Sequence, residues 1–365
     1  MKYKKVQLKD IADIVMGQSP KSQFYNTDGK GIPFLQGVRT FGENYPIIDT
    51  YTTSFNREAN VGEILFSVRA PVGRVNWATK RIAIGRGLAA IRVKERYSPN
   101  YLYYLFKKIG EHLDSLATGT VFTSINKKEL SELSIDIPAS VVDQERVANY
   151  LKKIDLKIEK NNQINDNLDA LLTTIFEEKV KNSGFDEAKL TDIANYKNGL
   201  AMQKYRPKNN ESSLPVLKIK ELNQGYTDNS SDRCSTNIDK GVIVNQGDII
   251  FSWSGTLLVK NWSGKTAGLN QHLFKVTSNQ YPDWFIYEWT KHYLKKFQLI
   301  ASGKATTLGH IKRNDLKLSK VFIPNKDTLN EYNTQLKPLY DKRIAIIKET
   351  QCLNDLKQTL LQKYF

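Results

Sequence analysis

The sequence predicts an α+β protein with two similar mixed α/β domains, each followed by a long helix. The main observation is an internal repeat. A shift of 182 positions along the 365-residue chain places Leu8, Asp10, Ile11, Ala12 and Gly17 on Leu190, Asp192, Ile193, Ala194 and Gly199. GEILFS from Gly62 meets GDIIFS from Gly247 at an offset of 185, and LLTTIF from Leu171 meets LLQKYF from Leu360 at 189. Each copy is long enough to bury its own core, so two domains are expected rather than a solenoid of many short repeats.

The predicted elements follow the same order in both copies. A short helix or turn at LKDIADI or LTDIANY precedes a polar segment and then a strand at 33–38 or 215–219, where apolar and polar residues alternate. GEILFS and GDIIFS predict a turn before a buried strand, and further strands are expected at 88–93 and 272–276. A helix rich in aromatic residues comes next, PNYLYYLFKKI from Pro99 or PDWFIYEWTKHYLKKF from Pro282, with proline in its first turn.

The end of each copy carries a heptad pattern instead. The first stripe consists of Val147, Leu151, Ile154, Ile158, Asn161, Asn165, Leu168, Leu172 and Ile175, and the second of Tyr332, Leu339, Ile346, Leu353 and Leu360. Stripes of the same period can pack on each other, with Asn161 and Asn165 setting the register, or each helix can pack on its own domain. Pro338 is expected to break the second helix or to restart it. A continuous first helix from 147 to 175 spans roughly 42 Å at about 1.5 Å per residue.

The net charge of +16 belongs to the two globular stretches. Basic residues exceed acidic ones by seven in 1–142 and by eight in 184–327, whereas 143–183 and 328–365 are nearly neutral. Two separate basic bodies suggest a polyanionic partner such as nucleic acid, although a basic balance also serves solubility. Cys234 and Cys352 form no CxxC pair, and no apolar stretch suits a signal peptide or a membrane span. A reducing cytoplasm is the expected compartment.

A search for catalytic motifs yields none that is complete. GRGLAA at Gly85 fits GxGxxA but leads into a predicted strand, which favours a packing turn over a cofactor loop. SGKT at 263–266 lacks the first glycine of a phosphate-binding loop, where Val259 stands. No NPPY or DPPY tetrapeptide is present to hold a flipped base, and the four histidines show no metal-ligand spacing. The sequence therefore predicts neither a catalytic nor a metal site.

The ordered set of motifs resembles the specificity subunit of type I restriction-modification enzymes. It runs from Leu8 to Phe365 and comprises LxDIA, IPFL, GEILFS, the aromatic helix, ATGTVFTSINKKELSELSIDIP, DQERVANYLKKIDLKIEKNN and LLxxxF, most of it given twice. The resemblance implies target recognition domains at 1–142 and 184–327 and spacer helices at 143–183 and 328–365, the two helices forming an antiparallel coiled coil. Each domain is then expected to read one half of a split, asymmetric site on double-stranded DNA. The helices would set a gap on the order of 12 base pairs at about 3.4 Å each.

The resemblance also implies partners. Two methylation subunits would dock on the helices and bring S-adenosylmethionine for adenine-N6 methylation. Restriction subunits would bring ATP and Mg²⁺ for cleavage, and the complex would be cytoplasmic and bacterial. The chain itself would hold no cofactor and would not be the catalyst.

Phosphate contacts should occur in both copies, because the DNA backbone is the same in each half-site. The shared candidates lie in the loop before the last strand of each domain. Small hydroxyl residues, a glycine and two adjacent basic residues in this loop suit a close approach to phosphate. The candidates are Thr118, Gly119, Thr120, Thr123, Asn126, Lys127 and Lys128 in the first copy and Ser302, Gly303, Lys304, Thr306, Thr307, Lys312 and Arg313 in the second. An ordinary polar loop is the alternative.

Base contacts should instead differ between the copies. The divergent candidates are Lys21, Gln23, Arg39, Arg69, Arg74 and Arg86 in the first domain and Lys204, Arg206, Lys218, Lys220, Lys260, Asn270 and Gln271 in the second. Arginine pairs with guanine, and asparagine or glutamine with adenine, in the major groove. Each of these side chains has a simple solvated surface residue as its alternative. Because the copies diverge most here, the two half-sites are expected to differ in sequence.

Two other functions remain open on the sequence alone: a self-contained DNA-modifying enzyme and a tandem RNA-binding protein. The aromatic clusters at 101–106 and 284–289 are compatible with stacking on single-stranded bases, but their helical spacing favours core packing.

Removing seven residues around 161–167 is expected to shorten the gap in the recognised site.

Overall fold

The computed structural model describes residues 1–116, 124–181, 186–303 and 309–365, with side chains given outside 111–116. The chain divides into two compact units. Unit 1 comprises Met1–Leu156 and Leu356–Phe365, and unit 2 comprises Lys157–Asp355. Each unit therefore contains one part of each long helix at the ends of the two repeats. No helix in the described ranges is long and apolar enough to cross a membrane.

The described residues of unit 1 form eleven strands and three short or medium helices, together with the beginning of the first long helix. The strands are β1 (Tyr3–Gln7), β2 (Ala12–Met16), β3 (Tyr25–Asn26), β4 (Ile32–Leu35), β5 (Tyr51–Thr52), β6 (Glu58–Ala59), β7 (Ile64–Ser67), β8 (Val75–Trp77), β9 (Ile82–Ile84), β10 (Leu88–Val93) and β11 (Ser134–Pro138). The helices are α1 (Leu8–Ile11), α2 (Pro99–Leu116), α3 (Lys127–Ser131) and α4 (Val141–Ile175), with 3-10 turns at Ser22–Phe24 and Val38–Thr40.

Two sheets form the body of unit 1. An antiparallel sheet has the order β2-β10-β7-β8, and a mixed sheet has the order β3-β5-β4-β9-β6, with β4 and β9 parallel. The aromatic helix α2 packs on the first sheet, where Phe66 and Phe106 lie 5.2 Å apart and Trp77 stacks on Tyr103 at 4.5 Å. The same core includes Leu151 of α4 and Leu361 near the C-terminus. The helix ends are thus part of the core of this unit.

Unit 2 repeats this plan, with ten strands in its described ranges. They are β12 (Asp186–Lys189), β13 (Asn195–Asn198), β14 (Ser213–Leu217), β15 (Arg233–Ser235), β16 (Ile243–Val244), β17 (Ile249–Ser252), β18 (Leu258–Asn261), β19 (Ala267–Leu269), β20 (Leu273–Thr277) and β21 (Lys320–Ile323). The helices are α5 (Leu190–Ile193), α6 (Ile219–Gln224), α7 (Asp283–His292), α8 (Leu294–Ser302), α9 (Arg313–Lys317) and α10 (Lys326–Tyr364), with 3-10 turns at Met202–Lys204 and Lys240–Val242 and a π-helical turn at Phe176–Val180.

The sheets of unit 2 match those of unit 1, except that β3 has no counterpart among the described strands of unit 2. The order β13-β20-β17-β18 corresponds to β2-β10-β7-β8, and β15-β14-β19-β16 corresponds to β5-β4-β9-β6. The parallel pair β14 and β19 occupies the place of β4 and β9. The predicted fold class, two similar mixed α/β domains with long helices, is confirmed.

Most predicted elements are present, with shifted ends. The strand expected at 88–93 is β10, and the one expected at 272–276 is β20, one residue later. The strand expected at 33–38 ends at Leu35, and a 3-10 turn follows. The second aromatic helix, expected to be continuous, is divided into α7 and α8 at Tyr293.

The expected break at Pro338 is wrong. Helix α10 runs from Lys326 to Tyr364 with Pro338 inside it. Proline removes one helical hydrogen bond and costs about 3 kcal/mol in a helix interior. Here Pro338 lies on the exposed face, while Leu336 and Tyr340 on either side are buried in the core of unit 2. Packing of this buried face holds the helix through the proline.

A buried ion pair joins the two long helices inside unit 1. The Lys357 ammonium of α10 lies 2.7 Å from the Asp155 carboxylate of α4, and both side chains are about one-tenth exposed. The hydroxyl of Tyr104, on α2, donates to the other carboxylate oxygen at 2.7 Å. The buried charges are therefore paired, and the pair is fixed to the aromatic helix.

A second pair occupies the same kind of place inside unit 2, between Asp169 of α4 and Arg343 of α10. An Arg343 nitrogen lies 3.3 Å from Asp169 Oδ1 and donates to the hydroxyl of Tyr287 at 2.8 Å. Tyr287, on the aromatic helix α7, donates to Asp169 at 3.2 Å, and Lys291 binds the other carboxylate oxygen. In both units a tyrosine of the aromatic helix thus contacts a carboxylate of α4.

The predicted heptad positions lie at or near the buried face of the helices. Leu151, Ile154, Asn161, Leu172 and Ile346 are buried, whereas Ile158, Asn165, Leu168, Leu339, Leu353 and Leu360 are partly buried. Asn161 donates from its amide to Glu349 at 2.9 Å and to Thr350 at 3.2 Å, as expected of a residue that sets the register between two helices. The alternative, in which each helix packs only on its own domain, is wrong for this stretch.

Replacing one residue of the Asp155–Lys357 pair should lower the free energy of unfolding more than replacing both residues. We expect Lys357→Met to lower the free energy of unfolding by about 3 to 5 kcal/mol, because the Asp155 carboxylate stays buried without its cation. The double variant Asp155→Leu with Lys357→Met leaves no unpaired charge and should recover most of that loss. Urea unfolding of the full chain measures both, with the exposed Lys363→Met as the control. Equal stabilities of the single and double variants would contradict this role of the pair.

Glu288 of α7 is a buried carboxyl beside the unit 2 pair. It is 1% exposed, and one of its oxygens accepts from the Thr173 hydroxyl at 3.0 Å. Burial raises its pKa to about 7, Asp169 adds to the rise, and Lys291, Thr173 and Arg343 oppose it. Because the folded chain holds this proton more tightly than the unfolded chain, the stability that it contributes is fully present near pH 4 and is lost as the pH rises towards 7.

We therefore expect Glu288→Gln to unfold with a larger free energy than the native chain at pH 8, by on the order of 3 kcal/mol, and the two curves to converge near pH 4. Tryptophan fluorescence during urea unfolding at several pH values is a suitable measurement, because Trp284 and Trp289 flank this position. The exposed Glu331→Gln is the matched control. The same pH dependence in both variants would count against this assignment.

Candidate nucleic-acid interface

Three loops of unit 1 meet at the ends of β2, β4 and β9. The amide of Gly17 donates to the carbonyl of Leu88 at 2.8 Å, and Gly85 donates to Leu35 at 2.8 Å. A Cβ atom on Gly17 would lie 2.2 Å from the carbonyl oxygen of Gly85, and one on Gly87 would lie 2.6 Å from that of Gln36. The glycines are required because the backbones touch. We call this place, 17–19 with 36–37 and 85–87, the loop junction of unit 1.

The same junction exists in unit 2, at 199–201, 218 and 270–272. Gly199 donates to the carbonyl of Leu273 at 3.0 Å, and Asn270 donates to Leu217 at 3.0 Å. A Cβ atom on Gly199 would lie 2.2 Å from the carbonyl oxygen of Asn270. The packing turn predicted at Gly85 is thus confirmed, and β10 follows it as the expected strand.

A fourth segment adjoins each junction. In unit 1, Val68 donates to the carbonyl of Gly87 at 3.0 Å, and Arg69 forms an antiparallel bridge with Ser124. In unit 2, Trp253 donates to His272 at 3.3 Å, and Ser254 forms the corresponding bridge with His310. Each bridge connects the junction to the segment that leads into α3 or α9. The base and phosphate candidates are therefore neighbours in each unit.

Two of the predicted base-reading arginines lie at this place, Arg86 within the unit 1 junction and Arg69 on the segment that adjoins it. Arg69 and Arg86 are exposed, and neither guanidinium forms a hydrogen bond or ion pair with any residue that the structure describes. The Ser19 hydroxyl accepts from the Arg86 amide at 3.1 Å and from the Gln36 side chain at 2.8 Å. This fixes the backbone at Arg86 while its side chain projects into solvent.

The unit 2 junction carries different side chains on the same backbone. Gln271 is partly buried, and its amide nitrogen lies 3.4 Å from the imidazole of exposed His272. Lys218 forms an ion pair with Asp232. Asn270 is buried, and its side-chain oxygen accepts from the His272 amide at 3.4 Å.

The other base candidates lie away from the junction or bind neighbouring side chains. Arg39 pairs with Asp49 at 2.8 Å, Lys220 contacts Ser230 at 2.8 Å, and Lys260 donates to the carbonyl of Asn223 at 3.1 Å. Arg74, in the β7–β8 turn, donates from its backbone to Ser67 at 2.8 Å. Four further candidates are exposed in or next to 3-10 turns: Lys21, Gln23, Lys204 and Arg206.

The phosphate candidates are only partly described. Thr118, Gly119, Thr120, Thr123, Lys304, Thr306 and Thr307 lie outside the described residues. Lys127 and Lys128 are exposed at the start of α3, which Asn126 caps by accepting from Glu129 at 3.0 Å. At α9, Arg313 occupies the place of Lys127, and Lys312 occupies the N-cap position of Asn126, whereas Ser302 and Gly303 end α8. Each short helix thus begins with exposed cations, and the shared phosphate contact stays a prediction.

The aromatic clusters belong to the cores. All eight residues are buried: Tyr101, Tyr103, Tyr104, Phe106, Trp284, Phe285, Tyr287 and Trp289. This confirms core packing over a stacking platform for single-stranded bases. Among the described residues, no group of three or more His, Cys, Asp or Glu side chains is arranged to hold a metal ion.

Sequence reasoning missed several side chains at these places. Gln36, Ser19, His272 and His310 meet at the junctions only through tertiary contacts, so neither spacing nor composition could identify them. The buried cations Arg343 and Lys357 were also missed, because heptad reasoning searches for apolar residues. Their 14-residue spacing, which matches that of Asp155 and Asp169 on α4, was the available signal.

A family model for "Type I restriction modification DNA specificity domain" matches residues 1–170 and 182–358. Over 98% of its length the chain is 26% identical to the type I restriction enzyme MjaIX specificity subunit of Methanocaldococcus jannaschii, covering 91% of that protein. It is 43% identical over 147 residues to the putative MjaX specificity subunit of the same organism, which is 40% of this chain but only 34% of that protein.

The fold is similar to the crystal structure of the type I restriction-modification system S subunit from M. genitalium. The TM-score is 0.58 at 18% identity, with 100% of this chain and 96% of that chain covered. Because the family model matches both repeats, the chain belongs to the type I restriction-modification DNA specificity family, and its part is the recognition of DNA rather than catalysis.

Proposed function

We propose that each unit reads one half of a bipartite, asymmetric site on double-stranded DNA, as the specificity subunit of a type I restriction-modification complex. The observation that carries this proposal is the loop junction, which has the same backbone in both units but different side chains. A shared backbone suits a common way of docking on the duplex, and different side chains suit different base sequences.

The distribution of charge supports the same function. Exposed lysines and arginines precede the last strand of each domain, at 127–128 and 312–313, next to the segments that bridge to the junctions. Phosphate contacts at these cations would position each unit, and the junction side chains would then meet base edges. The phosphate candidates outside the described ranges, among them Thr118 and Lys304, belong to this proposal as well.

The long helices are proposed to set the gap between the half-sites. Paired contacts along α4 and α10 support this role: Asp155 with Lys357 in unit 1, and Asn161 with Thr350 and Asp169 with Arg343 in unit 2. In each case a residue on α4 has a defined partner on α10. A seam with so many matched polar contacts resists sliding of one helix along the other.

The helices are also proposed to dock two methylation subunits. Large apolar side chains remain exposed on α4 in both units, Val142 and Leu156 in unit 1 and Ile164 and Leu171 in unit 2. Exposed apolar side chains on a helix that already buries its other face favour a protein partner. S-adenosylmethionine would enter with the methylation subunits, and ATP with Mg²⁺ would enter with restriction subunits, in the bacterial cytoplasm.

Methylome sequencing of cells that carry this chain with its methylation subunit tests the proposal. We expect one bipartite motif with unlike halves. Deleting one heptad from both helices, 158–164 and 346–352, keeps the two ion pairs matched and should shorten the gap by on the order of three base pairs, since seven residues span about 10 Å. The sequence alone suggested a deletion in the first helix only, but deleting 158–164 alone would misalign the ion pairs between the helices. That single deletion therefore serves as the control that should lose the motif.

An unchanged gap in the paired deletion would contradict the spacer role. Methyl transfer by the purified chain without partners would favour a self-contained enzyme. Tighter binding of structured RNA than of duplex DNA would favour the RNA-binding alternative.

Replacing the proposed phosphate contacts should weaken binding to all duplexes alike. We expect Lys127→Gln with Lys128→Gln, in the complex with the methylation subunit, to lower the salt dependence of DNA affinity by about two units of slope, because each removed cation leaves about one phosphate with its counterion. The exposed pair Lys152→Gln with Lys153→Gln, on α4, is the matched control. A weakening confined to one DNA sequence would instead indicate base contacts at 127–128.

A further inference from the structure

We infer that Arg86 and Gln271, at equivalent positions of the two loop junctions, are the principal base-reading side chains, Arg86 for guanine and Gln271 for adenine. The inference rests on the proposed function and goes further, because it assigns one position in each unit and the base that it distinguishes.

The equivalence of the two positions follows from the backbone hydrogen bonds around them. Three bonds of unit 1 recur in unit 2: Gly85 to Leu35 as Asn270 to Leu217, Leu88 to Gly85 as Leu273 to Asn270, and Val68 to Gly87 as Trp253 to His272. Arg86 and Gln271 each stand at the centre of the loop that these bonds define. The two side chains therefore leave the same scaffold at the same point.

The scaffold cannot shift easily to adapt to another sequence. Gly17 and Gly199 have no room for a Cβ atom, since a carbonyl oxygen would lie 2.2 Å away in either case. Backbones in such close contact are rigid, and rigid placement is what a bidentate contact with a base edge requires. Variation in the base that is read must then come from the side chains at the junction.

The centre of each loop presents a side chain that can bind a ligand. Arg86 is exposed, and its guanidinium forms no hydrogen bond or ion pair with a described residue, although its charge acts on nearby Tyr25. Gln271 has one weak contact with His272, at 3.4 Å. By contrast, Lys218 is engaged by Asp232, Gln36 by Ser19, and Asn270 is buried.

The chemistry of the two side chains assigns the bases. The guanidinium of arginine donates two hydrogen bonds to O6 and N7 of guanine in the major groove. The amide of glutamine donates to N7 and accepts from the amino group at N6 of adenine. The two half-sites would thus carry a guanine and an adenine at corresponding places.

Two separate variants, each carrying at one position the residue of the other, test the assignment. Each is expressed with the methylation subunit, and the methylome of the cells is sequenced. We expect Arg86→Gln to change one base pair in one half of the motif, and Gln271→Arg to change one base pair in the other half, with the gap unchanged. Competition binding of each purified complex against duplexes that vary at that base pair should show a 10- to 100-fold change in preference. Arg86→Lys should keep the guanine preference, because lysine also contacts O6 and N7.

Arg96→Gln and Gln280→Arg, at exposed positions outside the junctions, are matched controls and should leave the motif intact. A motif unchanged by both exchanges, or a uniform loss of affinity for every duplex, would overturn the assignment while leaving the bipartite site in place. If the unmodified complex recognised no bipartite motif, the proposed function itself would fail.

Discussion

The structure depends on an ion pair between α4 and α10 inside each unit. Asp155 meets Lys357 in unit 1, where both side chains are buried, and the partly buried Asp169 meets the buried Arg343 in unit 2. An unpaired buried charge costs several kcal/mol, so the buried member of each pair needs its partner on the other helix. The tyrosine of the aromatic helix that binds each carboxylate extends the requirement to the domain core. The helices and the domains therefore form one core in each unit.

The two units show which features are constant and which vary. The sheet orders, the glycine contacts and the bridges at Ser124 and His310 are common to both. The side chains on this scaffold differ, with exposed arginine at 86 where partly buried glutamine stands at 271. Constant backbone with varied side chains is the arrangement expected of a module that recognises one class of ligand in several versions.

Much of the fold could be predicted from the sequence because its signals are local or repeated. The offset between the copies indicates the two domains, and the strand at 88–93 is predicted to the residue because an apolar run follows glycine there. The expectation for Pro338 fails because a local rule about proline is overridden by the packing of Leu336 and Tyr340. Tertiary packing can exceed the local cost of a single residue, and the sequence alone does not display it.

The candidate site was harder to predict for a physical reason. Arg69 and Arg86 could be named from their charge and divergence, but Gln36 reaches the unit 1 junction, and His310 reaches the segment beside the unit 2 junction, only after separate loops have folded together. Whether a lysine or arginine is available to contact DNA also depends on neighbours that are distant in sequence. Lys218, for example, is paired with Asp232. Arg86 has no ion pair with a described residue and Lys218 has one, and the sequence does not distinguish the two cases.

The placement of the buried charges also bears on how identical chains meet. Both carboxylates belong to α4 and both cations to α10, and at an offset of 188 Asp155 corresponds to Arg343 and Asp169 to Lys357. If two α4 helices paired in this register, carboxylate would face carboxylate, and two α10 helices would bury cation against cation. Two copies of this chain would therefore meet electrostatic repulsion if they paired through matching helices.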